Sequence, residues 1–204
     1  RFLQLVAEQL GITAEHVFPA FEDVYYYLWR ERRLPVNVDP LKSRLDDPME
    51  RARLTKVFGQ GLDKVMGHVL PVSRHAGVWH TGSWYLRSDR CYLIPGDSPI
   101  GYRLPLDSQP WVNQSDYPYQ HVIDPAEPHP PLRSAAELRR QYSARLTGSA
   151  ANKPASTQAA PAAGESAPWI TRTAMCAQPR DGRLYVFMPP TGALDDYLEL
   201  LVAI

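Results

Sequence analysis

The chain is 204 residues long, and several features that would announce a chemistry are sparse in it or missing. Cysteine occurs twice, at Cys91 and Cys176. That is too few for a disulfide scaffold, and it fits two inert thiols in a reducing cytoplasm, the expected compartment. Lysine is confined to Lys42, Lys56, Lys64 and Lys153, so arginine supplies most of the positive charge. Net charge is absent as well: 22 Lys and Arg balance 22 Asp and Glu. No global field therefore draws the chain to nucleic acid or to an anionic membrane, and neither is expected as a partner. No apolar run approaches the length that spans a bilayer, and no basic-then-apolar leader is visible. The histidines lack i, i+4 spacing: His68, His75 and His80 are loosely grouped, His121 and His129 fall in a proline-rich stretch, and no metal site is expected. A phosphate-cradling glycine loop is missing too. Gly96 to Gly101 holds two glycines, but Pro99 removes an N–H and no helix pattern follows.

Proline, by contrast, is abundant. Twenty prolines are about twice the usual share, so much of the chain should be loop. The 44% apolar content is that of a globular protein with a real core. Leu3, Val6 and Leu10 recur at helical spacing, and Gly11 fits a helix C-terminus. The periodicity predicts a second helix over 20–33, with Glu22 and Asp23 in its first turn and arginines in its last. The segment from Leu34 to Pro40 is expected to be extended. A further helix should begin at Pro48 after Asp46 or Asp47 and run to Pro71. Residues 83–86 and 91–94 read as a β-hairpin, and 107–132 as a long irregular arm. A short charged helix is expected over 135–145, followed by an Ala/Ser/Pro/Gly linker over 147–167 that cannot repay its ordering entropy. Asp181-Gly182 marks a second hairpin, and a last helix opens at Ala193.

These elements predict an α+β chain in four parts. Residues 1–74 form a helical part, 75–132 a β-hairpin with an irregular proline-rich arm, and 133–168 a charged helix with a flexible linker. Residues 169–204 form a hairpin and the start of a helix belonging to a following α/β element. Two polar groupings stand out. Asp97 and Arg103 sit among tight turns, where Asp97 could meet a metal or an amine and Arg103 a carboxylate or phosphate. Equally, Asp97 and Ser98 could close an Asx-type turn, with Arg103 pairing locally. Asn37 and Asp39 alternate in the expected extended segment, where they could hold a ligand or cap the next helix. These four residues are the candidate substrate contacts; the catalytic residues are unknown.

Phe21-Glu22-Asp23 through Tyr27-Leu28-Trp29-Arg30-Glu31-Arg32, then Leu34 to Pro40, Asp46-Asp47-Pro48, Ile94 to Pro99, Gly101 to Leu106, Pro179 to Arg183 and Phe187 to Pro190 carry a resemblance. The chain resembles the middle segment of a large bacterial family with an N-terminal transglutaminase-like domain and a C-terminal region similar to glutamine-synthetase-like carboxylate–amine ligases. The resemblance implies an internal piece of a longer polypeptide. Its partners would be the adjacent domains and a peptide or protein substrate, and ATP and Mg²⁺ would act in the parent. The family's catalytic motifs would lie outside these residues, so none is carried onto a position here, and the fragment by itself is expected to be inactive. A non-catalytic scaffold module beside a transglutaminase-like domain is the competing expectation.

Overall fold

The computed structural model describes residues 1–39, 47–117, 126, 128, 131–148 and 159–204. Its centre is a five-stranded sheet in the order β5-β1-β2-β6-β7, formed by β1 (Phe18–Glu22), β2 (Val65–Pro71), β5 (Cys91–Leu93), β6 (Ala174–Arg180) and β7 (Arg183–Phe187). All neighbours are antiparallel except β1 and β5, which run parallel. A separate two-stranded ribbon pairs β3 (Ser73–His75) with β4 (Val78–His80) across Ala76-Gly77, both at positive φ. The fold is α+β, as the sequence indicates.

Strand alternation divides the core between the two faces of the sheet. Leu70 and Val72 of the β2 segment and Met175 and Ala177 of β6 face helices α1 (Phe2–Gln9) and α5 (Leu194–Ala203). Ala20, Val69, Ala174 and Cys176 face the opposite way, toward Ile100, Leu104, Trp84 and Leu86. A third, smaller cluster joins Tyr27 of α2 (Val24–Glu31) to Leu54 and Val57 of α3 (Pro48–Gln60).

Several local expectations hold. Helix α1 ends before Gly11 at φ +72°, and Asp47 caps α3 by accepting from the backbone N–H groups of Met49 and Glu50. The alternative cap, Asp46, lies outside the described residues. Asp181 and Gly182, at φ +50° and +74°, make the two-residue turn of the β6–β7 hairpin. Helix α4 (Ala135–Gly148) begins with a reciprocal pair: Glu137 N–H donates to Ser134 Oγ, and Ser134 N–H donates to the Glu137 carboxylate.

Other expectations are corrected. The stretch 1–74 is not all helical, because β1 occupies 18–22 and β2 occupies 65–71. Gly61 at φ +90° ends α3, and the apolar run after it is a central strand buried on both faces at its C-terminal end, a pattern whose period a short window cannot tell from a helix. Residues 83–86 do not pair with 91–94. Cys91–Leu93 aligns with Ala20–Glu22, while Trp84 packs 5.5 Å from Phe18 and donates its indole N–H to the Thr171 carbonyl. Residues 34–39 are not a strand. Val38 N–H donates to the Pro35 carbonyl and closes a turn, since the proline rule restrains Leu34 and Asp39 but leaves the residues between them free. No boundary at 169 separates the sheet, because β6 pairs with β2 along His68–Pro71. The far end of the expected linker is docked: Ala167 is buried and its N–H donates to the Trp111 carbonyl, while Ser166 Oγ donates to Asp116. Residues 149–158 of that linker lie outside the described ones.

Candidate functional site

The loop from Ile94 to Arg103 crosses one face of the sheet and is tied at both ends of its span. Ile94 N–H donates to the Arg103 carbonyl at 2.7 Å, and Arg103 Nε donates to the Ile94 carbonyl at 2.7 Å. The Arg103 guanidinium then reaches Glu22, the last residue of β1, through two hydrogen bonds. Both side chains are nearly inaccessible, with Arg103 at 4% and Glu22 at 5% exposure. Such a pair survives burial only because fork and carboxylate match in geometry. Farther along the loop, Ile100 N–H donates to Gln178 Oε1 of β6 at 3.2 Å. A Cβ at Gly67 would fall 2.6 Å from the Ala177 main-chain oxygen of β6 and 2.7 Å from the Ile100 side chain, so glycine at 67 admits the neighbouring strand first and the loop with it. At Gly101 the approach is closer still, and any Cβ would overlap the Phe187 ring.

The outer half of this loop forms one wall of a cleft of 150 Å³. The opposite wall is α3, which presents Arg53, Lys56 and Gln60 along one face, and the β6–β7 turn supplies Arg180 and Asp181. Arg53 Nη2 donates to Asp97 at 3.0 Å, and its other terminal nitrogen meets Glu50. Glu50 in turn accepts from the Tyr26 hydroxyl at 3.0 Å. Arg180 Nη1 donates to the Asp97 main-chain carbonyl at 3.2 Å. The Arg53 hydrogen bond holds the Asp97 carboxyl below its usual range, with Lys56 and Arg103 adding their fields. Beneath this rim the Tyr27 side chain is 1% exposed and its hydroxyl has no partner among the described residues. Burial, reinforced by the Glu22 charge, pushes that phenol upward, so it stays protonated. Five cationic side chains (Arg53, Lys56, Lys64, Arg103 and Arg180) line the cleft against three carboxylates, Glu22, Asp97 and Asp181.

Of the four residues proposed from sequence, the structure brings Asp97 and Arg103 to the same cleft. Their positions differ in kind. Arg103 is engaged with Glu22 and Ile94, while the Asp97 side chain is 52% exposed. Asn37 and Asp39 are exposed on the 35–38 turn and its exit, and neither lines the cleft. Arg53, Lys56, Gln178 and Arg180 were not legible as site residues. The spacing of Arg53, Lys56 and Gln60 at i, i+3 and i+7 was the available signal, but a polar helical stripe reads as a solvated face unless its neighbour is known. The cysteines are not part of this arrangement. Both are buried in the sheet, and desolvation pushes their thiols to about 12.

Residues 1–204 match the family described as "Putative amidoligase enzyme (DUF2126)". No curated protein and no solved structure matches the chain.

Proposed function

We propose, from the premise that the chain belongs to this amidoligase family, that it forms part of an ATP-dependent ligase joining a carboxylate to an amine, in peptide or protein modification. The family match along the whole chain is the observation that carries the reading. The cleft between α3 and the 94–103 loop is the surface on which this chain would meet substrate, since its excess of cationic groups suits an anionic partner. Making an amide requires a carboxylate oxygen to leave, and ATP is the co-substrate this reading assigns to that task. This reading assigns ATP and Mg²⁺ to the parent protein as a whole; the described residues contain no group of three or more His, Cys, Asp or Glu placed to hold a metal. Within the chain, Glu22, Arg103 and Gln178 hold the loop against the sheet, and Arg53, Lys56 and Arg180 present positive charge along it.

The competing role is that of a scaffold beside a transglutaminase-like domain. The engagement of Arg103 with Glu22 favours it, because a guanidinium committed to a buried carboxylate is a structural tie. Measuring ADP release by the parent protein decides between the two. The ligase reading expects ADP formation that depends on both a carboxylate and an amine and that falls in Arg53→Ala and Lys56→Ala. ADP release independent of amine and unchanged in both variants refutes it.

A further inference from the structure

We propose that the α3–loop cleft is an oxyanion-binding subsite in which the Asp97 carboxylate stands in for the ligand, and that an incoming phosphate or carboxylate displaces it from Arg53. This deepens the site named above but does not require ligase chemistry.

The asymmetry of the Arg53–Asp97 pair carries the inference. Arg53 is 15% exposed and fixed from behind by Glu50, which is itself held by Tyr26. Asp97 is 52% exposed, and among the described residues its carboxylate is held by Arg53 alone. The cation is therefore preorganised, and the anion is the movable partner. An ion pair this open contributes little to stability, so exchanging its carboxylate for an external one costs little. Lys56 lies one helical turn beyond Arg53 on the same face and makes no hydrogen bond or ion pair among the described residues. Arg180 reaches the same loop through the Asp97 carbonyl, and Ser98 adds a hydroxyl to the wall. Of the three carboxylates present, Glu22 is neutralised by Arg103, and Asp181 lies 3.7 Å from Arg180. The cleft volume of 150 Å³ is about ten times what one ordered water requires, enough for a tetrahedral phosphate group. The lowered carboxyl at Asp97 reports the same positive field.

Calorimetric titration of the intact chain with inorganic phosphate, and separately with acetate, tests the proposal. The expected result is saturable binding of one ion per chain that weakens with ionic strength. Lys56→Ala should weaken it about tenfold, as removing one charge-assisted contact would. Asp97→Asn should tighten it, because the internal competitor loses its charge. Lys56 is exposed on its helix, so its variant keeps the fold. Binding of phosphate alone identifies a phosphoryl site, and binding of acetate identifies a carboxylate site. Failure of both ions to saturate overturns the proposal, as does equal affinity in the wild type, Lys56→Ala and Asp97→Asn. Phosphate binding in a parent that forms no amide would remove the ligase reading and leave the subsite. Amide formation with no oxyanion bound here would remove the subsite alone.

Discussion

Replacing Arg103 by methionine removes a guanidinium from a site where water cannot replace it. Glu22 would remain 5% exposed with its counter-charge gone, a situation that costs about 3–5 kcal/mol. The lost hydrogen bond from Arg103 Nε to the Ile94 carbonyl adds about 1 kcal/mol. At about 2–4 °C per kcal/mol for a chain of this size, the melting temperature should fall by about 8–24 °C. Removing both charges together, in Glu22→Leu/Arg103→Met, leaves no orphaned ion and should recover most of the loss, since apolar replacement of a whole buried pair is often nearly neutral. Thermal unfolding followed by circular dichroism on Glu22→Leu, Arg103→Met and the double variant supplies the cycle. A drop below about 3 °C in Arg103→Met would show that the pair is not desolvated as described. A double variant melting below the worse single variant would show that the guanidinium acts through packing instead of charge.

Three further outcomes follow from local geometry. Gly101→Ala places a methyl group into the Phe187 ring and should cost about 1–3 kcal/mol in urea unfolding, with partial recovery in Gly101→Ala/Phe187→Leu; an unchanged midpoint would contradict the packing. Cys91 and Cys176, at 3% and 0% exposure with thiols near 12, should resist a thiol-specific colorimetric reagent at pH 8 until urea unfolds the chain, and fast native labelling would refute their burial. The Asp97 carboxyl is held below its unfolded value, so its contribution to stability is complete above about pH 4 and is lost as pH falls through the lower folded value. Asp97→Asn should therefore flatten the acid limb of the stability curve by a small amount, given the exposure of the pair, and an identical limb in both proteins would count against the Arg53 contact.

What could be read from sequence was what local chemistry decides. The Asp47-Pro48 cap, the Gly11 stop and the Asp181-Gly182 turn each depend on a few adjacent residues, and each is where the motif puts it. The strands resisted because their partners are remote. Val65–Pro71 gains its hydrogen bonds from residues near 20 on one side and near 176 on the other, and nothing within seven residues announces either. The same limit applies to the cleft. Asp97 and Arg103 stood out because turns concentrate polar groups, whereas Arg53 and Arg180 acquire meaning only when α3 and the β6–β7 turn meet that loop. Asn37 and Asp39 drew attention through an alternation that the Pro35–Val38 turn abolishes.

The position of β6 has a consequence for synthesis. The central strand β2 waits for a neighbour that lies roughly a hundred residues farther along the chain. At translation rates of about 5–20 residues per second, β2 would stand with one open edge for about 5–20 seconds after it emerges. An unpaired, largely apolar strand is a template for joining other chains during that interval. Nascent copies should thus be most vulnerable to aggregation before residue 180 is made. Supplying the β6–β7 hairpin in trans as a peptide is a direct way to shorten that exposure, and any change that lengthens the path between Pro71 and Ala174 prolongs it.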